Sequence, residues 1–398
     1  MRATFCVTVA AVLLTGCASD TEAPPPTETG PAPMLTPLVG SAVAEPVPVP
    51  ATDGRIHLAY ELTLSNTLST EVTMTSLSAR SGDQTLATLR GDDLAFWTRA
   101  FGAGAEPTDV VKPGQTVTVW MDVALDANAQ LPTELTHSVD LAVDKPIPGL
   151  VPATLTQPVA PVPVSDRTPV SVAAPLDGPN WLDGDGCCTM SAHRKALNPI
   201  NGKLYGAERF AIDYVQLRDD LRLFSGSATT PENYPGFGAQ IHAVGDGTVV
   251  AVVNDLPEQV PTKAPQGLPL DQYGGNHVVQ DLGDGNYAFY AHLQPGTITV
   301  KPGDDLSTGQ PFAELGNSGN SDAPHLHFHV MDGPDPLMAN GLPFVIKNFQ
   351  LSRRVSSPAA LDAVLTGKPA AMQPGFAARD ESEVMPLDLD VMNYSVGQ

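Results

Sequence analysis

The chain has 398 residues, 42% of them hydrophobic and 16% charged, which is enough for two domains with separate cores. A formal net charge of −23 excludes the basic patch that nucleic-acid binding needs and disfavours electrostatic docking on anionic membranes or polymers. The 39 prolines and 35 glycines point to frequent turns, and so to an all-β architecture rather than helix bundles.

Residues 1–16 read as an export signal. Arg2 supplies a positive start, and the apolar stretch Phe5 to Leu14 is too short for a stable membrane span. It ends in Leu14-Thr15-Gly16-Cys17, which resembles the lipobox of bacterial lipoproteins. That resemblance implies cleavage before Cys17 and lipidation of its sulfur. Acyl chains contribute about 0.8 kcal/mol per buried methylene, so the cell envelope would hold the protein through this anchor alone. An ordinary secretory signal with a chance cysteine is the alternative. No other stretch is apolar and long enough to span a bilayer.

Residues 17–50 read as a tether, because the run from Ala23 to Pro31 is proline-rich and has almost nothing to bury. Residues 51–160 form a first β domain. Ile56, Leu58, Tyr60, Leu62 and Leu64 alternate with polar or small residues, and Val117, Val119, Met121, Val123 and Leu125 repeat the pattern after Pro113-Gly114. Such strands predict an antiparallel, immunoglobulin-like β-sandwich. His57 and His137 stand alone there and are read as surface or satisfied histidines. Residues 161–175, rich in proline and valine, read as a linker.

Residues 176–372 form a second antiparallel β domain that holds seven of the nine histidines. Its predicted strands are Ala211–Val215, Ile241–Val253, His277–Asp281, Ala288–Leu293 and His325–Met331. Two stretches, Leu221–Gly238 and Leu256–Tyr273, read as insertions. The acidic segment 373–398 is expected to be poorly ordered. Of the four cysteines, the adjacent pair Cys187-Cys188 remains after Cys6 and Cys17. In an oxidising compartment it forms a vicinal or an intermolecular disulfide. Tetrahedral zinc binding by neighbouring cysteines is disfavoured, so the pair is read as structural.

The chemistry concentrates in Pro324-His325-Leu326-His327-Phe328-His329. Alternation is the strand period, so three imidazoles share one face at about 6.6–6.8 Å spacing. At that spacing one can ligate a metal while its neighbour transfers a proton beside it.

The surrounding sequence resembles the lysostaphin/LytM-type zinc metallopeptidases. The matching pieces are Gly275-Asn276-His277-Val278-Val279, Tyr290-Ala291-His292-Leu293, Val300-Lys301-Pro302-Gly303-Asp304, Gly309-Gln310, Gly316 to Ser321 and Pro324 to Phe328, with Ile241 to Val249 upstream. The resemblance covers roughly half the chain. It implies a β domain with a narrow groove over one Zn2+ and hydrolysis of peptide cross-bridges in bacterial peptidoglycan. It makes His327 and Asp213 zinc ligands, and His292 and His325 catalytic histidines that orient water and stabilise the developing anion. His329 is read as a histidine at the groove edge, and His242 and His277 as structural.

One position departs from the pattern. The family places a ligand histidine four residues before the aspartate, where this chain has Arg209. A guanidinium stays protonated and cannot ligate zinc. In one reading His193, on a preceding strand, supplies the missing imidazole. In the other, Arg209 pairs with Asp213 and the domain is a metal-free binding or hydrolase-activating module. The resemblance says nothing of the oligomeric state.

Overall fold

A computed structural model describes residues 33–101, 106–263 and 265–395. Cys17 and the signal segment 1–16 lie outside the described residues. Among the described residues no helix is long and apolar enough to cross a membrane.

The alternating stretches Arg55–Asn66 and Thr116–Asp126 pair antiparallel along almost their whole length. Leu58, Tyr60, Leu62 and Leu64 therefore enter the same core as Val117, Val119, Met121 and Val123. These strands, with Leu38–Ala42, Val49–Pro50 and Thr98–Ala100, make one sheet of the sandwich. Thr154–Pro163, Glu134–Val143, Val72–Ser81, Gln84–Arg90 and Val110–Val111 make the other. Both sheets contribute to that core, with Met74, Leu77, Val139 and Leu141 from the second.

Three segments expected to lack structure carry strands. Within the supposed tether, Leu38–Ala42 pairs with Arg55–Asn66, and Leu38, Val47 and Val49 are buried. Prolines fit there because these are edge positions that need few ladder donors. Within the supposed linker, Val170–Val172 pairs in parallel with Phe344–Ile346. Within the acidic tail, Asp390–Tyr394 runs between Gly178–Gly184 and Phe349–Arg354, and Val391 and Met392 are fully buried. Acidity misleads here because Asp390, itself buried, pairs with Arg354 at 2.6 Å and accepts from Thr52.

The second domain is built on an eleven-stranded, antiparallel sheet. Leu326–Met331 lies near its middle, between Asn286–Leu293 and Ile212–Gln216. One face of this strand is apolar. Leu326, Phe328 and Val330 pack with Ile212, Tyr214 and Tyr290 in the main core. Burial of each such side chain contributes on the order of 1.5–3 kcal/mol. The opposite face presents His327 and His329. Register places Asp213 and Ala291 beside His327, and Phe289 beside His329. Because side chains alternate across a sheet, the same packing that buries Phe328 turns Asp213 and His327 to one side.

Candidate active site

That polar face floors a groove of about 570 Å3, lined by the four histidines and the aspartate singled out above, His193, His292, His325, His327 and Asp213, together with His277 and His329. Asp213 comes from Ile212–Gln216, directly across from His327, and their Oδ1 and Nδ1 atoms lie 3.0 Å apart. His193 arrives from the far wall. It sits on the four-residue helix Ala192–Lys195 rather than on a strand, because Ser191 caps the helix by accepting from the Arg194 N–H at 3.2 Å. Its Nε2 lies 3.3 Å from Asp213 Oδ1, and its Nδ1 faces the carbonyls of Asp185 and Ala211, each at 3.2 Å. Those carbonyls accept the Nδ1–H, so Nε2 is the nitrogen turned to Asp213 and the one that would face a metal.

His193, Asp213 and His327 each offer one donor atom, and these atoms lie within 4.8 Å of one another. Two imidazoles and one carboxylate converging from three elements match the donor set of a catalytic zinc site that keeps a fourth position open. Arg209 takes no part. Its guanidinium reaches the other way, donating to Ala59 O at 2.8 Å and standing 3.5 Å from Glu61. Arg209 therefore does not occupy Asp213.

His292 and His325 stand beside this cluster, with ring centroids 4.6 Å apart. Strand alternation alone would turn His292 to the core, since Ala291 already faces His327. A left-handed backbone at His292, φ +61°, re-aims the imidazole into the groove. Its Nδ1 donates to Ser318 O at 2.7 Å, which leaves Nε2 as an acceptor. His325 is held in the same way by Ala323 O at 2.8 Å, and its Nε2 lies 3.3 Å from Asp213.

The turn 316–321 fixes both imidazoles. Ser318 Oγ donates to Leu293 O and accepts from Asn276 N, and Ser321 Oγ donates to Asn317 Oδ1 at 2.6 Å. The turn crosses the Gly275 backbone closely. A Cβ on Gly275, where φ is +60°, would lie 2.4 Å from Ser318 O.

Charge and burial act against each other here. Burial would lower the His193 pKa, but the adjacent Asp213 outweighs it and raises it to about 10. His325 is raised on the same balance. Burial would raise Asp213, yet the imidazoles of His193 and His325 hold it well below the usual carboxylate range. His292 is pushed well below the usual histidine value, by burial first and then by its histidine neighbours.

His329 departs from the groove-edge expectation. It is 1% exposed, and its Nδ1 lies 3.0 Å from His327 Nε2. It stacks obliquely on Phe289 at 5.0 Å. Nδ1 of His327 is turned to Asp213 and Nε2 to His329, so these two neighbours fix the orientation of the His327 ring between them. The hint in the sequence was the third imidazole on the same strand period. His277 lines the groove against Phe289, with Nδ1 tied to Gly275 O at 2.8 Å.

His57 and His137, read as surface or satisfied histidines, are buried and satisfied in the first domain. His57 lies between Asp122 and Asp53, and His137 bridges Tyr60 and Ala160 O. A second donor group, His57, Asp122 and Cys188, has its sulfur engaged in a disulfide with Cys187.

Residues 234–339 match the model of Peptidase family M23. The matched stretch contains His292, His325 and His327, whereas His193 and Asp213 lie before it. Over 102 residues the chain is 31% identical to the peptidoglycan DD-endopeptidase ShyA of Vibrio cholerae, a stretch covering 26% of this chain and 20% of that protein. The chain thus spans about a fifth of that curated relative's length. Among solved structures it is similar to the catalytic domain of a point mutant of the prophage-encoded M23 protein EnpA from Enterococcus faecalis, at 21% identity and a TM-score of 0.26, over 43% of this chain and 93% of that one. It is also similar to the catalytic domain of the antimicrobial peptidase lysostaphin from Staphylococcus simulans, at 21% identity and a TM-score of 0.22, over 40% and 85%.

Proposed function

We propose that the protein is a zinc-dependent metalloendopeptidase that hydrolyses peptide cross-bridges of bacterial peptidoglycan, held at the cell envelope through a lipidated Cys17. The observation that carries this reading is the convergence of His193, Asp213 and His327 donor atoms within 4.8 Å, with two further imidazoles beside them. His193, Asp213 and His327 would hold the metal. A zinc ion held there would supply Lewis acidity to polarise the scissile carbonyl and favour deprotonation of the attacking water.

The remaining chemistry belongs to the chain. His292, with Nδ1 committed to Ser318 O, offers Nε2 to accept the water's proton. His325 lies 4.6 Å from it, ring to ring, placed to donate to the developing oxyanion or to return a proton to the leaving amine. The groove walls favour a peptide carrying a free ammonium. Asp185, Glu208, Asp271, Asp322 and Asp335 line it, and among the described residues no lysine or arginine does. Tyr273, Leu270 and Leu337 add apolar contact.

Metal analysis of the purified protein, with digestion of purified sacculi against a panel of proteins, tests the reading. One zinc per chain and release of cross-link fragments are expected, and His327→Ala and Asp213→Ala should lose both. A metal-free protein that binds sacculi without cutting them would instead make it a binding or hydrolase-activating module. Metabolic labelling with a fatty acid, lost on Cys17→Ser, tests the anchor.

A further inference from the structure

The wall carrying His193 is only partly built by the peptidase sheet. A four-residue helix cannot hold its own position, since one turn of helix costs more in ordering than it gains in hydrogen bonds. Its placement must come from what grips it. The next residue, Arg194, has a fully buried side chain aimed into the β-sandwich. Its guanidinium donates to Met121 O at 3.1 Å and to Cys188 O at 2.9 Å, and stands 3.4 Å from Glu61. Its own carbonyl accepts from Trp120 Nε1 at 2.7 Å.

Glu61 and Trp120 face each other in register on the two central strands of one sandwich sheet. The same Glu61 carboxylate meets Arg209, which also donates to Ala59 O. Around this polar knot the seam is apolar. Val49, Ala51 and Ala59 of the sandwich pack with Cys187, Cys188, Phe210 and Val345. Both sides of His193 in sequence, the Cys187-Cys188 loop and Arg194, are thus held by the first domain. Arg209, where the family pattern places a ligand, serves the same seam.

We propose that the β-sandwich is a working part of the metal centre. Glu61 and Trp120 are positioning residues that hold Arg194, and through it they fix the His193 Nε2 against Asp213. This rests on the reading of His193 as a zinc ligand. In the family pattern the first ligand stands on the same segment as the aspartate. Here the replacement ligand comes from a separate short element, and an interdomain clamp supplies the rigidity that the shared strand would have given.

The test uses the full chain and zinc itself as the probe. Affinity is measured by competition with a chromophoric chelator, and ligand geometry by the visible spectrum of the cobalt-loaded protein. Trp120→Phe removes one N–H donor and keeps an aromatic ring, and Glu61→Gln keeps the shape and removes the charge. Both are expected to weaken zinc binding about 10–100-fold and to change the cobalt bands, with the circular dichroism spectrum retained. Tyr60→Phe is the control, since it breaks a buried 2.6 Å bond to His137 in the same sandwich. It should bind zinc as the wild type does. Equal loss in Tyr60→Phe would reduce the effect to general loosening and overturn the proposal. Wild-type affinity in Trp120→Phe and Glu61→Gln, in a protein whose His193→Ala variant has lost zinc, overturns the clamp and leaves the zinc reading standing. A wild-type protein that binds no zinc overturns both.

Discussion

Glu258 should make the stability of the turn behind His292 and His325 sensitive to pH. It lies at the start of the insertion Leu256–Tyr273 and bridges to the turn that holds His292 and His325. Its Oε2 accepts from Asn317 N at 2.7 Å, while Oε1 is buried without a partner, pressed against Gly316. Burial pushes its pKa from 4.5 up to about 7; the Asn317 N–H opposes this and Glu232 adds to it. The folded state therefore binds a proton that the unfolded chain has released. Stability from this group is intact below about pH 4.5, falls as pH rises toward about 7, and is flat above. At about 1.4 kcal/mol per pH unit the full window spans about 3.4 kcal/mol, and screening of a partly exposed carboxyl reduces it to about 1–2 kcal/mol. Glu258→Gln keeps the acceptor for Asn317 and removes the charge. It should stabilise the protein more at pH 8 than at pH 5, by about 1–3 °C in Tm. An equal shift at both pH values, or a loss confined to pH 8, would refute the assignment.

Three other outcomes are expected. His292→Gly relieves the left-handed backbone, so Tm should change little while kcat falls about 10²–10⁴-fold with zinc retained; zinc loss in that variant would make His292 a ligand instead. Gly275→Ala forces a methyl against Ser318 O at a φ of +60°, and thermal unfolding should register about 2 kcal/mol or more of destabilisation together with lost activity. His329→Phe keeps the packing on Phe289 and removes the hydrogen-bond partner of His327 Nε2, so zinc affinity by chelator competition should fall about 10–100-fold. Unchanged affinity would leave His329 a packing residue.

Much of the site could be read along the chain because its signals are local. The period of the His325–His329 stretch requires that His327 and His329 share a face, and it holds because Phe328 and Val330 must be buried behind them. The Gly-Asn-Ser turn announced the approach to that strand. Other features gave no local signal. His292 sits at a position whose alternation points inward, and only the left-handed φ turns it out. His329 looked peripheral because nothing in the sequence says which strand covers it. Leu38–Ala42 and Asp390–Tyr394 lie in proline-rich and acidic stretches, where composition argues for disorder while pairing across the sheet supplies the burial.

The sequence alone determined the two-part β organisation, the histidine strand, the aspartate at position 213 and the absence of an imidazole at position 209. The first two follow from strand period and turn chemistry, each a property of a few consecutive residues; positions 213 and 209 were marked by the resemblance to a known family pattern. Only the tertiary structure decided that Asp213 stands opposite His327, 114 residues away, that His193 reaches both, and that Arg209 and Arg194 face Glu61 in the other domain. Those placements depend on register and interdomain packing. Their energy is spread over whole sheets and a buried seam, so no short stretch of chain records them.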